Sequence, residues 1–161
     1  MTALRPMSHE AYPAFFEDAI ATYAAENVAG GRWLAADAPE LARAETLRLL
    51  GQGVDTPDHH LFEVLASPEG SPVGYIWFAA APRGSIKIAF VFQIKIQPPF
   101  QRQGHARAAL ELVEQEAVRL GLAGMALHVF ACNPTAQALY RSLGYEVSSL
   151  NMIKPFAHHV A

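Results

Sequence analysis

The chain has 161 residues, 52% hydrophobic and 17% charged, a balance that supports one packed domain and excludes a disordered one. The formal charge of −3 leaves no basic footprint for nucleic acid, and no apolar run approaches the roughly 18 residues of a membrane span. A single cysteine, Cys132, excludes an intrachain disulfide framework, and without a signal-peptide layout at the N-terminus the expected location is the cytoplasm.

In chain order, residues 3–7 predict a short strand that Pro6 keeps at a sheet edge. Over residues 9–28, Tyr12, Phe15, Phe16, Ala19, Ile20 and Tyr23 recur at helical spacing, and Gly30-Gly31 ends that helix. A second helix opens at Asp37 as N-cap, with Pro39 in its first turn and Leu41, Ala44, Leu47 and Leu50 as its apolar stripe. Turn-rich residues 51–60 follow, then three predicted strands at 61–66, 73–80 and 86–96. The third alternates, which predicts Ile86, Ile88, Phe90, Phe92, Ile94 and Ile96 on one face and Lys87, Ala89, Val91, Gln93 and Lys95 on the other.

Residues 94–106, IKIQPPFQRQGHA, read as a strand end, a Pro-Pro break and a turn. That turn opens a helix bearing Ala109, Leu110, Val113, Ala117 and Leu120. A helix start carries unpaired N–H groups and the positive end of the macrodipole, a seat for a pyrophosphate that small Gly104 and Ala106 would leave open. Residues 125–131 predict a strand parallel to the long one, since a helix connects them. Asn133 caps a short helix at 135–143, and 145–150 and 152–156 predict two last strands. His158 and His159 are too few to form a tag. The fold class is α/β with a mixed sheet, in the order β-α-α-β-β-β-α-β-α-β-β.

Gln101, Gly104 and Ala106 spell QxxGxA, and NPTAQALYRSLGY supplies Asn133, Ala136, Tyr140, Gly144 and Tyr145. In order and spacing the two motifs resemble the signatures of the GNAT-type N-acetyltransferase superfamily, and the element order is similar over nearly the whole chain. The resemblance implies a single domain over 1–161 in which the central parallel strands splay apart. It implies acetyl-CoA as cosubstrate, with the pantetheine arm along Ile94, Lys95 and Ile96. The pyrophosphate would rest on Gln101, Arg102, Gln103, Gly104, His105, Ala106 and Arg107, with Asn133, Ala136 and Tyr140 also at the cofactor. The implied reaction is direct acetyl transfer to a primary amine, on a small molecule or a peptide, without a metal.

The same resemblance implies the backbone N–H of Ile94 as oxyanion donor and Tyr140 as general acid. One branch of the superfamily carries a Glu four residues before that donor; Phe90 stands there in this chain. Glu26 and His128 remain as candidate bases beside a water chain, and Arg32 and Trp33 as candidates for the acceptor wall. The missing strand carboxylate makes a non-catalytic CoA-binding sensor the rival reading, and a bulkier acyl group a third. His59, His60 and Glu63 lack recognised ligand spacing, so no metal is expected. Cys132 is expected to be a small packed residue, and a homodimer is compatible with all of this.

Overall fold

Residues 73–79 are all buried, as a strand with helices on both faces requires. They belong to β3 (Pro72–Arg83), the centre of a five-stranded sheet that also contains β1 (Ala3–Pro6), β2 (His59–Leu65), β4 (Ile86–Ile96) and β5 (Met125–Leu127). The strands lie in sequence order, antiparallel from β1 to β4, with β5 parallel to β4. The computed structural model describes residues 1–157; His158 and His159 lie outside the described residues.

Among the described residues, four α-helices cover the sheet: α1 (Tyr12–Ala29), α2 (Ala38–Leu49), α3 (His105–Arg119) and α4 (Pro134–Ser142). On one face, Ala109, Leu110, Val113 and Ala117 of α3 pack with Val64, Ile76, Phe78, Ala89, Val91 and Ile96, and Leu139, Tyr140 and Leu143 of the α4 region join them. On the other, Phe15 and Ala19 of α1 pack with Leu61, Tyr75, Trp77 and Phe92.

The predicted stripe of α2 is corrected except at Leu50, which is buried at the helix end as expected. Leu41 and Leu47 are 43% and 53% exposed, while Ala38, Ala42 and Thr46 face α1 beside Ile20 and Ala24. Small side chains let the two helices approach closely, and Thr46 returns its hydroxyl proton to the Ala42 carbonyl, so no polar group is stranded.

The alternation of β4 is corrected as well. Partners run Phe78↔Val91 and then Trp77↔Gln93, so Phe92 is an extra residue without a partner on β3. Such a bulge bends the strand and shifts its alternation by one. Upstream, Ala89 and Val91 face α3; downstream, Ile94 and Ile96 face it. Phe92, Gln93 and Lys95 instead turn to α1, where the Gln93 amide donates to the Ala19 carbonyl at 3.0 Å.

The last two predicted strands are absent among the described residues. Residues 146–156 join no ladder and make no hydrogen bond to a described residue, and α4 leads through Gly144 (φ +90) into an exposed segment without regular structure. Alternating apolar residues specify a strand only where an edge receives them, and this segment runs along none.

Candidate active site

Two strands that begin as a pair and then separate define the site. The ladder between β4 and β5 covers Ala89↔Met125, Phe90↔Ala126 and Val91↔Leu127, and then stops. The Phe92 bulge lies directly after the last pair and turns β4 away, so residues 128–131, expected to continue the strand, leave the sheet.

The direction of the freed backbone groups follows from the register. Gln97 N–H donates to Val73 O at 2.8 Å, which makes the opposed pairs Lys95/Tyr75 and Gln93/Trp77 the bonded ones. Ile94 and Ile96 therefore direct their N–H and C=O away from β3 into the opening. Lys95 was expected to bind cofactor; its backbone turns instead to Tyr75. Its ammonium is held by the Asp18 carboxylate at 2.8 and 2.9 Å and by the Thr22 hydroxyl at 3.0 Å, tying β4 to α1. Gly74 opposes Ile96, and a Cβ there would lie 2.0 Å from the Lys95 carbonyl oxygen, so only glycine lets β3 lie this close.

The turn beyond β4 is braced by its own side chains. Gln101 donates to the Ile96 carbonyl at 2.8 Å and Gln103 to the Pro99 carbonyl at 3.1 Å. The His105 ring shares a 2.9 Å bond with the Thr2 hydroxyl, and Arg107 reaches the Ser142 hydroxyl on α4. The side chains thus spend their polar groups inward, and the main chain is left facing out. Six consecutive N–H groups, Arg102 to Arg107, donate to no described residue. They flank Gly104, the N-cap of α3, at φ +86. A Cβ on Gly104 would meet no heavy atom within 4 Å, so glycine is required there by backbone conformation. Arg102 is also left-handed, at φ +63, a strained state for a non-glycine residue. Alternating conformations with unpaired amides, at the positive end of a 15-residue helix, are an arrangement that can hold an anion.

Glu26 and Tyr140 come from opposite faces of the sheet, one on α1 and one on α4. Burial raises the Tyr140 phenol and the Glu26 carboxylate adds to the rise. Glu26 keeps contact with solvent, yet the protein around it pushes its carboxyl above the usual range, with Lys95 opposing. Nearby, the Tyr75 hydroxyl is buried beside Asp18 and Thr22 without a well-formed hydrogen bond, and burial drives its phenol far up.

His128 follows the last paired residue of β5. Its ring meets Phe130 edge-on at 4.7 Å, and Phe130 lies over Gly30 at the end of α1, where a Cβ would fall 2.3 Å from the ring. His128, Phe130 and the end of α1 therefore close one end of the cleft. Arg32 and Trp33 follow in the α1–α2 loop. Buried Asn27 holds that loop: its carbonyl accepts from the N–H groups of Arg32 and Trp33, and its side chain accepts from the Arg32 guanidinium at 3.3 Å. Trp33 meets Tyr23 edge-on at 5.2 Å.

Asn133 caps α4 as expected, its side chain accepting from the Ala136 N–H at 3.1 Å. Cys132, expected to pack, is exposed in the bend before that cap. His59 accepts from the Trp77 indole N–H at 2.9 Å and stacks on Phe92, and His60 stacks on Phe78, so both rings belong to aromatic packing. Asp18, Asn27, Phe130 and Gly74 were not singled out from the sequence; of these, a glycine inside a strand was the one local signal available. Shallow depressions over α3, one lined by residues 1–4 with Leu112, Gln115, Glu116 and Arg119, lie apart from this open groove.

The profile of the acetyltransferase (GNAT) family matches residues 12–145. The N-acetyltransferase YycN of Bacillus subtilis (strain 168), itself uncharacterized, is 34% identical over 151 residues, 94% of this chain and 96% of that one. YdgE of the same strain, of the same description, is 30% identical over the same shares. The crystal structure of YycN superposes with a TM-score of 0.90 at 32% identity, covering 97% of this chain and 99% of that one.

Proposed function

The chain belongs to the acetyltransferase (GNAT) family and is an acyltransferase, and on that premise we propose that it moves an acetyl group from acetyl-CoA to a primary amine by direct attack. The observation that carries this reading is the opening after Val91↔Leu127, which joins an outward Ile94 N–H to six free amides on the turn. An extended amide-bearing arm fits between strands whose backbone groups want partners, and a pyrophosphate fits the turn. Acetyl-CoA, when bound, supplies the activated thioester.

In this reading the residues divide the work as follows. The amides of Arg102 to Arg107 hold the phosphates, with the Arg102 guanidinium available beside them. Gln101 fixes the Ile96 carbonyl and so orients the start of the turn. The Ile94 N–H supports the negative charge that develops on the carbonyl oxygen; one such preorganised donor is worth about 3 kcal/mol. Tyr140, kept protonated by burial and by Glu26, hands its proton to the departing thiolate. Glu26 takes the amine proton. Its raised affinity for protons and its charge coupling to Tyr140 favour it over His128, whose ring contact is with Phe130. Trp33 and Arg32, set by Asn27, form a wall for the acceptor.

A thiol-release assay over a panel of small and peptidyl amines tests the proposal. Amine-dependent release is expected, falling about 100-fold or more in Tyr140→Phe while CoA affinity stays within about threefold. Tight CoA binding with no release for any amine would overturn direct transfer, as would full turnover in Tyr140→Phe for the role of the phenol.

A further inference from the structure

Of the three arginines on α1, α2 and the loop between them, two are neutralised inside the chain and one is not. Arg43 holds the Glu17 carboxylate with two nitrogens, at 3.0 and 2.6 Å, and Arg48 holds that of Glu45 in the same way, at 3.4 and 2.7 Å. Exposed Arg32 forms no ion pair among the described residues, although Asp37 and Glu40 follow it closely in the chain. Local chemistry explains how it is held without one. α1 ends with Gly30 as C-cap and Gly31 in the left-handed region at φ +74. The Gly31 N–H donates to the Val28 carbonyl and the Arg32 N–H to the Asn27 carbonyl, the two bonds of a Schellman ending. Such an ending frequently packs apolar side chains together at the places of Arg32 and Asn27. Here both are polar. Asn27 is fully buried, and its amide N–H serves the Tyr23 carbonyl at 2.8 Å, so its oxygen is left to accept from the Arg32 guanidinium at 3.3 Å. The guanidinium carbon lies 5.4 Å from the centre of the Trp33 ring, which Tyr23 meets edge-on. An amide oxygen and an aromatic face orient a guanidinium without cancelling its charge, and the oxygen takes one of its five N–H donors. A local preference broken at a fixed and charged position marks a functional role.

We infer that Arg32 selects the acceptor: the amine that this chain acetylates also carries a carboxylate, which the Arg32 guanidinium takes while the amine faces Glu26. The inference rests on the direct-transfer reading above and adds to it the chemistry of the second substrate. The place is right for it. Phe130 lies against Gly30 at the closed end of the cleft, and the bond from Arg32 to Asn27 holds the arginine beside the turn of α1 that carries Glu26. Guanidinium and carboxylate match as a planar pair with two parallel hydrogen bonds. No internal carboxylate has to leave before that pair forms, and the Trp33 ring offers an apolar face to the carbon chain between the two charged ends. A polyamine, cationic at both ends, meets repulsion at the same position. The carboxylate belongs either to a free amino acid or to the end of a short peptide, and the two sources are separable by experiment.

Thiol release by the full chain with matched amines tests the inference. β-Alanine, γ-aminobutyrate, ε-aminocaproate and lysine are each compared with their carboxamides, short peptides with free C-termini are compared with amidated ones, and putrescine serves as the cationic probe. In at least one pair the carboxylate form should be preferred about tenfold or more in kcat/KM, and the series holding that pair tells amino acid from peptide. In Arg32→Gln the ratio should fall to about one, whereas Arg32→Lys, which keeps the charge without the fork, should retain part of it. Ratios near one in every wild-type pair would overturn the inference and leave acetyl transfer standing, as would a ratio that Arg32→Gln leaves unchanged or a preference for putrescine. Calorimetric titration of the same pairs into the CoA-bound protein keeps the two readings apart. Binding that favours the carboxylate, loses that preference in Arg32→Gln and is followed by no thiol release would uphold the role of Arg32 and overturn transfer. Neither release nor preferential binding with any pair would overturn both. The wild-type ratios decide even if a variant fails to fold.

Discussion

Replacing Gly104 by alanine separates the conformation of the turn from its contact with phosphate. At φ +86 an L-residue costs about 1–2 kcal/mol. Because the added methyl meets no heavy atom within 4 Å, no clash adds to that. For a chain of this size the loss lowers the melting temperature by about 2–8 °C. The new Cβ, however, stands among the six free amides and holds a phosphate off at least one of them. A hydrogen bond to a charged oxygen is worth about 1.5–3 kcal/mol, so CoA binding should weaken about tenfold or more. Gly121, just past the end of α3 at φ +75 and equally open, is the matched control. Gly121→Ala should show a similar melting shift with CoA affinity unchanged. Calorimetric titration of CoA into both variants, alongside urea or thermal melts, reads the two effects apart. Equal CoA affinity in Gly104→Ala and Gly121→Ala would refute the assignment of the turn as the phosphate seat.

Three more substitutions probe the opening. The Glu26 carboxyl binds its proton more tightly in the native state than in the unfolded chain. Its ionisation therefore removes stability as pH rises from the unfolded value through the native one, and Glu26→Gln should gain more in melting temperature at pH 8 than at pH 4 while losing turnover. The acid limb of kcat/KM should follow the same group and move to higher pH in Lys95→Met, which removes the opposing cation; an unmoved limb argues against Glu26 as the base. Gly74→Ala drives a Cβ into the Lys95 carbonyl at 2.0 Å, a backbone atom that cannot swing aside. It should cost more than about 3 kcal/mol, read by denaturant melts, and a loss below about 1 kcal/mol would show that β3 and β4 are not held at this separation.

Features set by local chemistry were legible in the sequence. The Pro-Pro break, the Gly104 turn, the Asn133 cap and the bounds of β4 each follow from what one or two residues can adopt, and each stands where expected. Features set by what lies opposite were not. Alternation along β4 is unbroken as written, and the bulge at Phe92 arises only because Gln93 finds Ala19 on α1 and Trp77 on β3. In α2 the leucines outrank the alanines in hydrophobicity, yet close approach of two helices selects the small residues. Glu26 and His128 could be nominated as candidates, but nothing in their local pattern shows that folding partly desolvates the Glu26 carboxyl while the His128 ring meets Phe130. The closing strands required an edge, and local pattern says nothing about whether one receives them.

The surplus residue in β4 acts like a one-letter slip in a reading frame. Up to Val91 odd-numbered positions address α3; after Phe92 even-numbered ones do. A chain shortened by one residue between Val91 and Ile94 would keep nearly all its hydrophobicity and would still set Ile94 opposite Ile76, but as a regular ladder without the bend that turns β4 away from β5. The lesson for engineering or comparing such chains is that this stretch tolerates exchange of letters far better than change of count.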